Sequence, residues 1–263
     1  MKKILFTVLL LMMMVFTGCG SDSLKVDEEK VFIIGIDDEY APMGFHDDSG
    51  ELVGVDIELA KETAKRMGVT FEFKPIEWSN KERELTSGKI DIIWNGLDIA
   101  PERKGYILYS KPYMDNRQII LVKKGNTQGI TSEGDLAGKK IGTQAGSTSE
   151  TYIIQNKQFK ESLGEFRTYG NYKTAFRDLE TGTVDAIVCD EIISRYEVGK
   201  NPDRFEIIDV TVGPACEIGI GFRKGEIELR DQVQKVFDEI VADGTAKKIS
   251  EKWFKVDLIK AAQ

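Results

Sequence analysis

One nine-residue pattern occurs twice in this chain, 94 residues apart, and it limits the possible folds more than any other feature. Leu85-x-x-Gly88-x-Ile90-Asp91-x-Ile93 is matched by Leu179-x-x-Gly182-x-Val184-Asp185-x-Ile187. Each copy reads as a helix end, a glycine stop and a buried strand. The long interval excludes a short solenoid repeat and implies two similar lobes. Around the first copy, Val31 to Ile36 is a β-branched run, and Val69, Phe71 and Phe73 alternate as a strand does. Asp56 is expected to cap a helix with Ile57, Ala60, Ala64 and Met67 on its apolar face and Gly68 as its stop. A helix over about 80–86 leads to a strand at Ile90 to Trp94. Around the second copy, a strand starts near Ile141 and a helix covers about 150–156; Tyr172 to Thr181 is helical, Val184 to Val188 a strand and Glu191 to Tyr196 helical. Alternating strands and helices imply an α/β fold, each lobe a mainly parallel sheet flanked by helices. The tail adds a strand at Ile218 to Phe222 and helices at Ile227 to Asp243 and Thr245 to Phe254, and periodicity leaves open which lobe it joins.

The first residues stand apart from the fold. Lys2 and Lys3, the apolar run Ile4 to Phe16, and Thr17-Gly18 before Cys19 make a secretory signal over residues 1–18. The run is shorter than the roughly 20 apolar residues that a membrane span needs. The Thr-Gly-Cys ending is similar to a bacterial lipoprotein signal, with Phe16 where that pattern usually has Leu. Lipidation of Cys19 and a plain signal cut nearby are the two readings, and lipidation is the expectation. Residues 19–30 would then be a lipid-anchored tether on the outer face of the cell membrane. Cys189 and Cys216 remain; they lack zinc-ligand spacing, and a disulfide or two buried thiols both fit them. Without residues 1–18 the net charge is −10, which argues against a nucleic-acid partner. His46 is the single histidine, so no His cluster is offered to a metal, and no cofactor is expected.

In open α/β sheets ligands bind beyond the carboxyl ends of the strands. Those ends are Asn95-Gly96-Leu97-Asp98 and Cys189-Asp190, which would meet across a cleft. An α-amino acid needs there a bidentate cation, N–H donors and a carboxylate. Asp91-Ile-Ile-Trp-Asn-Gly-Leu-Asp-Ile-Ala-Pro-Glu-Arg103 offers them, and this stretch resembles the signature of the amino-acid-binding proteins of ABC importers. The resemblance runs from about Val31 to Phe254. It takes in Asp37-x-x-Tyr40-Ala41-Pro42, Gly50-Glu51-Leu52-Val53-Gly54-Val55-Asp56, Ser110-Lys111-Pro112-Tyr113, Gly146-Ser147-Thr148 and Lys248-Ile-Ser-Glu-Lys-Trp-Phe254.

The resemblance implies a two-lobed periplasmic-binding-protein fold joined by two hinge crossings, near Tyr113–Arg117 and Pro214–Ile218. Lobe 1 would take residues 31–115 and 216–258, lobe 2 residues 116–215, with a tail at 259–263. It implies that Arg103 forks onto the ligand carboxylate, helped by backbone at Gly96 and by N–H or hydroxyl groups at Gly146 and Ser147. Asp190 would accept from the ammonium, Tyr40 and Trp78 would pack on the side chain, and Asp37 or Glu39 would reach its far end. An amino-acid ligand, an ABC permease as partner, a monomer and no catalysis are the corresponding expectations.

Asp98 and Ala100 depart from the family, which usually has a hydroxyl residue and a Thr there. Asp98 either adds a second carboxylate beside the ammonium, favouring a basic or cystine-like ligand, or pairs with Arg103. Blander readings stand beside these: Asp190 as a helix cap, Tyr40 and Trp78 as packing residues, Cys189 as an inert thiol, His46 as exposed. The rival functions are a secreted enzyme on the same fold, such as a cyclohexadienyl dehydratase with Asp98 as its acid or base, and a ligand sensor working through a separate partner.

Overall fold

A computed structural model describes residues 30–260. The signal segment, Cys19 and the tether before Lys30 lie outside them, as do residues 261–263. Two five-stranded sheets carry the fold. In the first, strands run in the order Thr70–Pro75, Val31–Ile36, Ile92–Ile93, Gly221–Arg223, Ile107–Tyr109. In the second the order is Glu165–Tyr169, Lys140–Gln144, Ala186–Asp190, Gln118–Lys123, Phe205–Ile208. Only Gly221–Arg223 and Gln118–Lys123 run against their neighbours, so each sheet is mainly parallel.

The helices are α1 (Val55–Met67), α2 (Lys81–Thr86), α3 (Thr148–Gln155), α4 (Lys157–Ser162), α5 (Tyr172–Thr181), α6 (Glu191–Lys200), α7 (Ile227–Ala242) and α8 (Thr245–Phe254). The tail joins the first lobe: Gly221–Arg223 enters its sheet, and α7 and α8 pack on α1.

The repeated sequence pattern does the same work twice. Gly88 and Gly182 sit at φ 76° and 78°, the left-handed turn that ends α2 and α5. The aspartate that follows ties the next strand to its parallel neighbour. Asp91 Oδ2 accepts from the Ile33 N–H at 2.9 Å, and Asp185 Oδ2 from the Lys140 N–H at 2.8 Å. Each Asp N–H returns to the carbonyl of that same residue, at 2.8 Å in both lobes. Every strand N–H needs a partner once buried, and these side chains supply one where the ladder begins.

An antiparallel ribbon of Met114–Asn116 and Cys216–Ile218 forms the two crossings between the lobes. The expected single strand at Ile218 to Phe222 is therefore two, because the chain leaves this ribbon before it enters the sheet; Ser110 Oγ accepts the Ile220 N–H in between. Lys260 folds back onto the ribbon, its Nζ 2.8 Å from Asp115 on one strand and 2.6 Å from Glu217 on the other.

Asp56 does not cap α1. Its N-cap lies two residues earlier, at Gly54, which puts the Asp56 carboxylate inside the first turn and fully buried. There it accepts from the Gly96 N–H at 2.6 Å and the Tyr113 hydroxyl at 2.7 Å, tying the helix to the cleft loop and to the hinge. Burial pushes this carboxyl up from 3.8 to about 7. Between those values the folded protein holds a proton that the unfolded chain has lost, so this contribution to stability declines as pH rises from about 4 to 7. Asp56→Asn, which keeps an acceptor oxygen, is expected to lose less stability than the wild type between pH 5 and pH 8, by on the order of 2 kcal/mol. Denaturant titrations at the two pH values measure the difference.

Candidate functional site

The carboxyl ends of the central strands, Ile92–Ile93 and Ala186–Asp190, deliver the loop of Asp98 from one lobe and Asp190 from the other. The Asp98 loop is held by the second crossing: Ile99 N–H donates to Glu217 O at 2.8 Å and Gly219 N–H to Leu97 O at 2.9 Å. Between the lobes lies a small pocket. Tyr40, Trp78, Gly96, Asp98, Arg103, Ser147 and Asp190 line it, together with Gln144 and Thr148. Seven of the nine residues expected from sequence thus meet at one cavity; Asp37 and Gly146 stand behind it.

Asp98 and Asp190 are both buried and share their donors. Asn116 Nδ2 lies 2.9 Å from Asp98 Oδ1 and 2.5 Å from Asp190 Oδ1. Gln118 Nε2 lies 3.3 Å from Asp98 Oδ2 and 2.6 Å from Asp190 Oδ1. Tyr40 donates its hydroxyl to Asp190 Oδ2. Burial, then the neighbouring Asp98 charge, pushes the Asp190 carboxyl up to about 6. Asp190 begins α6 without a side-chain bond to it, so the helix-cap reading fails. Arg103 Nη1 donates to the main-chain carbonyl of Asp98 at 3.3 Å, and among the described residues it makes no ion pair with the Asp98 carboxylate.

Arg103 is buried where the short 3₁₀ turn Pro101–Arg103 places it. Its Nη2 donates to Gly146 O at 3.0 Å and its Nη1 to Thr148 Oγ1 at 3.3 Å, both in the second lobe. Lys81 Nζ reaches the same Gly146 carbonyl at 2.6 Å, and the Glu82 carboxylate accepts from both cations, 3.1 Å from Lys81 and 3.4 Å from Arg103. Burial, then the Arg103 charge, lowers the Lys81 ammonium to about 8.

Several expected donors are committed elsewhere. The Gly96 N–H belongs to Asp56, and the Gly146 N–H donates to Glu150 Oε2 at 2.6 Å. Ser147 is the N-cap of α3, its hydroxyl accepting from the Glu150 N–H at 3.1 Å. At the far end, Asp37 Oδ2 accepts from Gln144 Nε2 at 2.6 Å, and burial raises Asp37 to about 6. Glu39 faces outward and pairs with Lys173 at 2.8 Å. Trp78 is buried, with Lys81 Nζ 5.0 Å from its ring centre. Cys189 and Cys216 are both free; Cys189 is buried against Ser194. His46 is exposed, 3.1 Å from Asp38.

Sequence reasoning missed Asn116, Gln118 and Gln144. Gln118 and Gln144 left a trace, since each is the one amide of its strand and stands at the cleft end, with a lysine at the other. Asn116 left none, because its partners come from both lobes.

Residues 32–256 match the pattern of the bacterial extracellular solute-binding proteins, family 3. The L-cystine-binding protein TcyJ of Escherichia coli (strain K12) is 35% identical over 236 residues, 90% of this chain and 87% of that protein. Among solved structures, the substrate-binding protein of an ABC uptake transporter from Streptococcus pneumoniae, with bound histidine, is 32% identical at a TM-score of 0.82, covering 88% of this chain and 94% of that one. An ancestral amino-acid-binding protein described as a precursor of cyclohexadienyl dehydratase is 37% identical at a TM-score of 0.77, covering 85% and 95%.

Gly146 is one of the points at which the lobes touch. It sits at φ 77°, and a Cβ there would lie 2.6 Å from Ser79 Cα in the first lobe. Gly146→Ala would meet that backbone and add roughly 1–3 kcal/mol of left-handed strain. The expected outcome is a cleft held open, with a larger radius of gyration by small-angle scattering and unchanged helix content by circular dichroism.

Proposed function

The chain belongs to the bacterial extracellular solute-binding proteins, family 3, and we propose that it captures a free amino acid outside the cytoplasm and passes it to an ABC importer. The observation that carries this is the pairing of unlike charges at one pocket between the lobes: the Arg103 guanidinium on its wall, and the carboxylates of Asp98 and Asp190 with it. A zwitterion needs both. Two carboxylates against one guanidinium favour a ligand richer in positive charge, a basic or cystine-like amino acid, and relatives named for cystine and histidine agree with that range. Capture then follows from lobe closure around the ligand. The chain works as a binding protein without catalysis. Its relatives' names support this, and Asp98, the one departure that suggested an acid or base, lies among amide donors beside a second carboxylate.

In this reading Cys19 carries a lipid that holds a monomer at the outer face of the membrane, and an ABC permease is its partner. Cys19→Ala is expected to move the protein from the membrane fraction into the soluble extracytoplasmic fraction; a variant that stays with the membrane argues against the anchor.

A thermal-shift series over the common amino acids and cystine, on protein stripped of carried-over ligand, identifies the ligand by mass action. No shift with any of them would overturn the proposal. With the stabilising amino acid, Arg103→Ala is expected to weaken binding by about 1.5–3.5 decades, because truncating one partner of a buried charged pair costs roughly 2–5 kcal/mol. Calorimetry on the two proteins decides it.

A further inference from the structure

The two carboxylates come from different lobes, and every side chain that contacts them is neutral. Asn116 Nδ2 and Gln118 Nε2 each donate to Asp98 and to Asp190 at once. The Tyr40 hydroxyl takes the remaining Asp190 oxygen. The titratable groups that act on or beside Asp190 are Asp98, Tyr40, Tyr172, Cys189 and Cys216, none of them a cation; Arg103 lines the same pocket but makes no ion pair with either carboxylate among the described residues. Asn116 ends the first hinge strand, and Gln118 begins the strand beside Ala186–Asp190, its amide oxygen accepting from Ser149 on α3. Both amides are buried, and Asn116 Oδ1 has no partner, so its amide is oriented by the two carboxylates.

We infer that Asn116 and Gln118 are positioning residues: their bridging amides let two like charges from opposite lobes share one buried pocket, and so set the charge state in which an ammonium is received. This rests on the amino-acid reading above and adds the hinge to it. Asp98 and Asp190 meet beside the hinge at low dielectric, where two bare carboxylates repel and one takes up a proton. Each donor that spans both oxygens favours the ionised pair.

The first test needs no ligand. In ¹³C-carboxyl NMR of the ligand-free wild-type protein, the Asp190 signal is expected to titrate above the usual carboxylate range, near 6; a titration at or below that range would overturn the proposal. Gln118→Met and Asn116→Leu each remove a bridging donor at similar volume. In either variant the Asp190 signal is expected to titrate about one pH unit higher, the worth of one hydrogen bond to a charged group. Affinity for the amino acid that stabilises the wild type should show the same displacement. It rises with pH through the free-protein titration and then levels off, so the rise should move up by the same unit while high-pH affinity changes less. A uniform loss at every pH, with the carboxyl titration unmoved, would show a merely structural role. If no amino acid binds, the capture reading fails, and the carboxyl titrations still decide this one.

Discussion

Two buried carboxylates, one from each lobe, share two amide donors at the bottom of the cleft, and the arrangement of the rest follows from holding them there. Burying like charges together is costly unless donors or a cation offset it. Asn116, Gln118 and Tyr40 supply the donors. Each carboxylate is set by the end of a central strand, and each strand is registered by the aspartate of the repeated pattern. A slip of either strand by one residue would turn its side chains to the other face and take the carboxylate out of the cleft.

The opposite charge is organised separately. Arg103 and Lys81 converge from the first lobe on a single carbonyl of the second, with Glu82 between them. That carbonyl belongs to Gly146, whose lack of a side chain is what allows the two backbones to approach. The cleft is thus divided into a cationic wall where the lobes touch and an anionic floor at the hinge. An amino acid has the same division. The N–H groups of Gly96 and Gly146 are held by Asp56 and Glu150, which keep the two loops in shape.

Much of this was legible in the sequence because it is local. Helix stops at Gly68, Gly88 and Gly182, the extents of α5, α7 and α8, and the two-lobe order come from periodicity and turn chemistry within a few residues. Arg103, Asp98, Asp190, Tyr40, Trp78 and Ser147 were legible as well, because strand ends and the motif around Arg103 point at a cleft. Asp56 was misread as a cap for an equally local reason: an acidic residue at a helix start is usually one, and its partners Gly96 and Tyr113 are 40 and 57 residues away.

The sequence by itself therefore determined the two α/β lobes, the identity of most groups at the cleft and the excess of carboxylates over cations there. Only the tertiary structure decided how those groups are paired. Asn116 and Gln118 bridge side chains 18 to 74 residues distant, Gln144 meets Asp37 across 107, and Lys81 meets Gly146 across 65. Hydrogen bonds act over about 3 Å and depend on direction, so a contact of that kind exists only once hinge and sheets have placed both ends. The repeated pattern foretold two strand ends. That both carry a carboxylate to one shared pair of amides is a property of the tertiary structure alone.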